Sequence, residues 1–68
     1  MFFIEISDGV NRQVKKLKDG TSKDRAMQIL QRLADNDEAL YTYSLLDEFE
    51  NEIASIDCEE RYYELCSH

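Results

Sequence analysis

Apolar residues recur at two different spacings in the first third of the chain. Every second residue from Phe2 to Ile6 is apolar, which is the two-residue period of a β-strand. A Ser-Asp-Gly turn follows at residues 7–9, and the apolar residues between 10 and 17 then fall at helical spacing. Gly20 is well placed to cap that segment. We therefore predict a strand, a turn and a short helical segment before residue 21.

The most regular pattern lies between residues 22 and 34. Its apolar residues form one helical stripe: Ala26, Met27, Ile29, Leu30, Leu33 and Ala34. Thr21 is a good N-cap, and Asp24 three residues later suits the positive end of a helix dipole. The Asp-Asn-Asp run at residues 35–37 ends the pattern. The sequence predicts a helix from Ser22 to Ala34.

The segment from residue 38 to residue 56 fits two structures. One is a helix, whose apolar stripe would be Leu45, Leu46, Phe49, Ile53 and Ile56. The other is a hairpin, because residues 40–45 are rich in strand-forming residues and Asn51 suits a turn. Neither glycine nor proline occurs after residue 20, and hairpin turns usually contain one of them. This absence favours the helix.

The last segment is ambiguous in the same way. Asp57 and Glu60 have the spacing of a capping box for a final helix, whereas residues 61–66 also fit a strand that pairs with the N-terminal one. The patterns together predict a mainly α fold, a single small compact helical domain over residues 1–68 with room for a short N-terminal strand. The alternative is an α+β fold, with one helix on a small antiparallel sheet.

Charge divides the chain into two unlike halves. Seven basic and four acidic side chains precede residue 33, whereas one basic and eleven acidic side chains follow residue 32, giving a net charge of −7 over 68 residues. No apolar run approaches the length of a membrane span, and no basic start with an apolar run resembles a secretory signal. We therefore expect a cytoplasmic protein that does not enter a membrane.

Few residues suit catalysis or metal binding. The single histidine, His68, is the last residue, where chains fray. Cys58, Cys66 and His68 provide three metal-binding side chains but lack the close cysteine pair of a structural zinc site. No glycine-rich phosphate loop is present. We expect a non-enzymatic protein with no cofactor and no metal.

The acidic half also carries all four tyrosines, which suits protein recognition. The candidate partner-binding residues are Tyr41, Tyr43, Asp47, Glu48, Glu50, Glu52, Glu59, Glu60, Tyr62 and Glu64. In composition, though not in any motif, this profile resembles small phage-encoded inhibitors such as anti-CRISPR proteins and DNA mimics. The resemblance implies an acidic binding module that occupies the basic, nucleic-acid-binding surface of a partner protein, without binding nucleic acid itself.

Two other functions fit the sequence. Residues 10–34 are basic and divided by Gly20, as in a helix-turn-helix, which suggests a small DNA-binding regulator or an antitoxin-like protein. A chain with so small a core also gains from self-association. A homo-oligomer, with a homodimer as its simplest form, would bury Leu45, Phe49 and Ile53 against a copy of itself.

Overall fold

A computed structural model of the chain describes residues 1–66, with side chains described to residue 64. Six elements follow one another: β1 (Phe2–Ser7), β2 (Arg12–Lys16), α1 (Lys23–Asp35), β3 (Thr42–Asp47), β4 (Glu52–Asp57) and α2 (Cys58–Cys66). The mainly α prediction is therefore wrong. The chain adopts an α+β fold, with two short helices and a small antiparallel sheet.

The four strands form one sheet in the order β2-β1-β3-β4, with every neighbouring pair antiparallel. Ile4 lies at the centre, paired with Lys15 on one side and with Leu45 on the other. Leu45 in turn pairs with Ala54, and the register shifts just after it, so that Leu46 pairs with Glu52. The shift marks a β-bulge in β4. Strands β2 and β4 are the two edges of the sheet.

The core lies between α1 and one face of the sheet. Ala26, Leu30 and Ala34 point from α1 toward Ile4 and Leu45 of the central strands, and all five are buried. The two alanines let the helix approach the sheet closely, and Leu30 fills the space between them. The apolar stripe read from the sequence is thus the face by which α1 packs on the sheet.

The prediction of α1 is confirmed, but its cap is one residue later than expected. Ser22 is the N-cap, and its Oγ accepts a hydrogen bond from the Arg25 amide at 3.1 Å. Thr21 instead donates its hydroxyl to the Lys18 carbonyl at 2.6 Å, closing the turn at Gly20, whose φ is +86°. The Thr21 hydroxyl therefore stabilises this turn and does not cap α1, contrary to the prediction from the sequence.

Residues 10–17 form no helical segment, because a hairpin closes there instead. Gly9 takes a positive φ of 91°, and one Asp8 carboxylate oxygen accepts hydrogen bonds from the Val10 and Asn11 amides at 2.8 and 2.6 Å. The turn directs residues 12–16 back along β1 as β2. The helix-turn-helix expected within residues 10–34 is therefore also wrong.

The region from residue 38 to residue 56 is a hairpin rather than a helix, although its turn contains no glycine. Asp47 replaces the missing turn residue: its Oδ1 accepts the Phe49 and Asn51 amides at 2.8 and 2.9 Å. Glu50 adopts a φ of +65°, a conformation that glycine usually supplies. The absence of glycine was a misleading argument here, because a side-chain cap and a strained glutamate form the turn.

The capping role predicted for Asp57 is confirmed. Its Oδ1 accepts the Glu60 amide at 3.1 Å, and α2 begins at the next residue, Cys58. The buried Cys58 thiol lies 3.7 Å from the Ala34 carbonyl oxygen, which ties the start of α2 to the end of α1. Among residues 1–66, no helix has the length and apolar character needed to cross a membrane.

Candidate functional site

The face of the sheet opposite α1 is the candidate functional site, and we call it the open face. Its residues form three rows across the sheet, each in the strand order β2, β1, β3, β4: Arg12-Ser7-Thr42-Asp57, Val14-Glu5-Ser44-Ser55 and Lys16-Phe3-Leu46-Glu52. Directly paired residues share a face of a sheet, and each row continues such pairs across all four strands. The rows follow from the register alone and join segments that are distant in the sequence.

The described residues place no element over this face. Because α1 packs on the other side and α2 joins α1 through Cys58, Val14 in the middle of edge strand β2 remains 47% exposed. Beside it, Phe3, Val14 and Leu46 line a hollow of about 150 Å³ that also reaches Glu48 and Glu50 of the β3–β4 turn. Leu46 is only 9% exposed, so the apolar side chains of this face that reach solvent are the half-buried Phe3 and the exposed Val14.

Charge is separated across the open face. Each outer row begins with a base on β2, Arg12 or Lys16, and ends with an acid on β4, Asp57 or Glu52. The two edge strands lie three strand spacings apart, about 14 Å. That distance is too great for the basic edge to form ion pairs with the acidic edge of the same chain. The face has a positive side and a negative side.

The polar groups at the centre of the face already have partners within the chain. Glu5 forms an ion pair with Arg12 at 3.2 Å, and the hydroxyls of Ser44 and Ser55 lie 3.3 Å apart. Lys16 makes only a surface contact, 3.4 Å from Asp19. A partner that covered this face would therefore meet Glu5 and Ser44 at its centre, the apolar Phe3 and Val14 beside them, and charges at its two sides.

The candidate partner-binding residues fall into two groups at opposite ends of β4. Asp47, Glu48, Glu50 and Glu52 surround the β3–β4 turn, whereas Glu59, Glu60, Tyr62 and Glu64 lie on α2. The six residues of β4 span roughly 17–20 Å between these groups. Of the ten, Glu52 belongs to a row of the open face, and Asp47, Glu48 and Glu50 border its hollow.

The two remaining candidates, Tyr41 and Tyr43, point toward the body of the protein. Tyr43 is only 6% exposed, and its hydroxyl donates to Asp37 at 2.6 Å. Burial and the Asp37 carboxylate raise the pKa of Tyr43 above its usual range. Tyr41 is half-buried, and its ring meets that of Tyr43 edge-on, with the ring centres 6.4 Å apart. Tyr43 is therefore a structural residue.

Asp37 and Asp47 are likewise occupied by the fold. Burial opposes ionisation of Asp37, but hydrogen bonds from Tyr43 and from the Leu40 and Tyr41 amides outweigh it and lower the pKa of the Asp37 carboxyl. The Asn51 amide is the main cause that lowers the pKa of Asp47. Both carboxylates hold turns in place, and neither shows the raised pKa of a general acid.

Residues with described side chains include no group of three or more His, Cys, Asp or Glu that could hold a metal ion. Cys58 is within this region, whereas the Cys66 side chain and His68 lie outside it. A metal site that used all three residues is therefore not tested by the structure.

Most of the open face was missed by the sequence analysis. Phe3, Arg12, Val14 and Lys16 were not among its candidates, because residues 10–17 were interpreted as helical. The available signal was the alternation of Arg12, Val14 and Lys16 with Gln13 and Lys15, which places the first three on one face of a strand.

Comparison with known proteins gives no relative. No family model, curated protein or solved structure matches the chain. Function therefore has to be argued from the residues of this chain and their arrangement.

Proposed function

We propose that this chain is a protein-interaction domain that binds through the open face of its sheet. The observation that carries the proposal is the arrangement of that face, which leaves the apolar Phe3 and Val14 accessible to solvent and places opposite charges along its two edges. The expectation of a non-enzymatic protein and a cytoplasmic location are part of the same proposal.

Physical chemistry supports a protein as the ligand. Antiparallel sheets commonly leave one face in water, and polar residues then cover that face. Here Phe3 and Val14 leave apolar surface in contact with solvent, and covering that surface would be favourable. A flat face of small polar and apolar side chains with charges at its rim is the composition of a protein–protein interface. The hollow of about 150 Å³ is smaller than the pockets of roughly 300–1,000 Å³ that enclose small molecules.

Site-specific photo-cross-linking in the source cell tests the proposal. The photoreactive residue p-benzoylphenylalanine would replace Val14 or Lys16 on the open face, and Val10 or Lys15 as controls. Val10 is 90% exposed in the β1–β2 turn, and Lys15 pairs with Ile4 on the α1 side of the sheet. The same adduct from positions 14 and 16, with none from 10 and 15, supports the proposal. No adduct from the open face, or equal adducts from all four positions, contradicts it.

A second candidate function retains the acidic inhibitor proposed from the sequence, now centred on the β3–β4 turn. Phe49 at its tip is 76% exposed between Glu48 and Glu50, so an aromatic ring and two acids are presented together. The expected target is a nucleic-acid-binding protein with a basic surface. A Glu48→Lys, Glu52→Lys variant should stay folded and lose the inhibition of that protein's nucleic-acid binding. Salt-insensitive binding would count against this function.

A further inference from the structure

We infer that the partner of the open face is a second copy of this chain, related by a two-fold axis parallel to the strands. The inference rests on the proposed function, because it names the partner of the same face. It follows from the positions of charged and apolar residues in the three rows.

The symmetry decides which residues meet. When two identical sheets face each other, a two-fold axis parallel to the strands exchanges their edges and keeps the position along the strands. Strand β2 of one copy then lies over β4 of the other, and β1 lies over β3. Face-to-face sheets pack with their strands aligned to within about 30°, so each row meets the same row of the second copy in reverse order.

The two outer rows are complementary in charge under this operation. In one outer row, Lys16 meets Glu52 of the second copy and Phe3 meets its Leu46. In the other outer row, Arg12 meets Asp57 of the second copy. Each contact occurs twice because the interface is isologous. The dimer would contain four pairings of opposite charge, and its middle row would place Glu5 over Ser44 and Val14 over Ser55 of the second copy.

The other face-to-face arrangement is electrostatically unfavourable. A two-fold axis perpendicular to the strands would place β2 over β2 and reverse the order of the rows. Arg12 would then meet Lys16 of the second copy, and Asp57 would meet its Glu52. Like charges would face each other at all four corners, which disfavours this complex. Charge therefore selects the parallel axis.

Edge-to-edge pairing of β2 with β4 is the competing mode of self-association. It would also bring basic and acidic strands together, but it would leave Phe3 and Val14 on the open face uncovered. Such head-to-tail contacts are heterologous, and they continue into open chains when the rotation does not close. In that mode Lys15 and Lys16, adjacent on β2, would both lie at the new contact. The two modes therefore differ in the size of the assembly and in the role of Lys15.

The size of the face indicates a weak dimer. Four strands at about 4.8 Å and five residues at about 3.4 Å give a face of roughly 19 by 17 Å. This footprint of about 320 Å² per copy is well below the roughly 800 Å² per partner of a standard stable interface, so the dimer is a weak, transient one. Sedimentation equilibrium should therefore cover chain concentrations from about 1 μM to about 1 mM.

A charge exchange tests the interface in the full chain. We expect a dimer of the 8.0 kDa chain whose dissociation constant rises with added salt. Lys16→Glu alone, and Glu52→Lys alone, should each raise that constant at least about tenfold, because like charges then meet at two symmetric places. The double variant should recover the wild-type constant, since the exchanged charges meet again across the interface. Lys15→Glu makes the same change on the other face and should have no effect.

The double variant also separates binding from folding. Lys16 and Glu52 lie on opposite edge strands, so recovery cannot come from a contact within one chain. Circular dichroism of each variant would show whether the fold is kept, which matters because Lys16 also contacts Asp19. Recovery together with wild-type circular dichroism supports the interface.

Three results would overturn the inference. They are a wild-type chain that stays monomeric to about 1 mM, a double variant as weak as the single ones, and assemblies that grow beyond a dimer and are equally sensitive to Lys15→Glu. If the wild type is monomeric but position 14 still cross-links to another protein, the inference fails and the proposed function stands. If position 14 gives no adduct, the proposed function fails as well.

Discussion

Asp37 connects the end of α1 to the start of β3 through three hydrogen bonds, and replacing it with alanine should destabilise the fold. Its carboxylate accepts the Tyr43 hydroxyl and the Leu40 amide, each at 2.6 Å, and the Tyr41 amide at 3.2 Å. It also holds Leu40 at a φ of +60°, a conformation that costs roughly 1–2 kcal/mol for a residue with a side chain.

The size of the effect follows from where these partners lie. The Leu40 and Tyr41 amides are near solvent, so water can replace the hydrogen bonds that they lose. The Tyr43 hydroxyl belongs to a buried ring, and a buried polar group without a partner costs about 1–3 kcal/mol. With the loss of a charged acceptor, we expect Asp37→Ala to lower the free energy of unfolding by about 2–4 kcal/mol. Cores of this size rarely supply more than about 3–5 kcal/mol, so the variant should be only marginally stable and contain a measurable unfolded fraction.

Urea unfolding followed by circular dichroism measures this loss, and Tyr43→Phe completes a double-mutant cycle. The Asp37→Ala substitution leaves the Tyr43 hydroxyl unpaired, and Tyr43→Phe removes that hydroxyl. The double variant should therefore be more stable than the sum of the single losses indicates, by about 1 kcal/mol. Glu38→Ala, an exposed neighbour, is the matched control and should change stability by less than about 0.5 kcal/mol. An Asp37→Ala variant as stable as that control would refute the reasoning.

Three further results are expected. Leu30→Ala should lower the free energy of unfolding by about 2–5 kcal/mol, because Leu30 is fully buried between α1 and the sheet. Met27→Ala, on the exposed side of α1, should lower it far less. Equal urea midpoints for the two variants would contradict the described core. Glu50→Gly should stabilise the chain by about 1 kcal/mol, since it relieves a positive φ; a lower melting temperature would count against it. Because the folded pKa of Asp37 is lowered, its stabilisation is present above the unfolded value of about 3.9 and is lost as pH falls through the folded pKa. A plot of unfolding free energy against pH should therefore fall below about pH 4, and less steeply in Asp37→Asn; parallel curves would exclude this role.

The helix α1 was predictable because its pattern has a single interpretation. Its buried residues recur every three or four positions, and its partners lie on one side only. The pattern of β3 is different, because four consecutive residues from Tyr43 to Leu46 are buried. A central strand whose side chains are buried on both faces, even where no helix covers one of them, shows no alternation, and its apolar run therefore fitted a helix equally well. Phe49 strengthened the false stripe, although it lies exposed at the tip of the turn.

The open face could not be predicted from the sequence, for a related reason. Each of its rows joins residues from four segments, and the pairing of strands that are distant in the chain sets their order. Glu52 was named as a candidate for its charge, but nothing local indicates that Lys16 occupies the same row at the other edge. Composition identified the charge separation along the chain, and the register converted it into a separation across one surface.

The pairing of β1 with β3 also governs how the molecule assembles. Strands β1 and β2, and likewise β3 and β4, are joined by short turns, and hairpins of this kind form in about 1–10 μs. The central pairing joins Ser7 to Thr42 and Phe2 to Asp47, so the chain between them must close into a long loop first. The folding rate should therefore depend on the pairing of β1 with β3, where the basic and acidic halves of the chain meet. The helix α1 can form within the loop before the two hairpins pair.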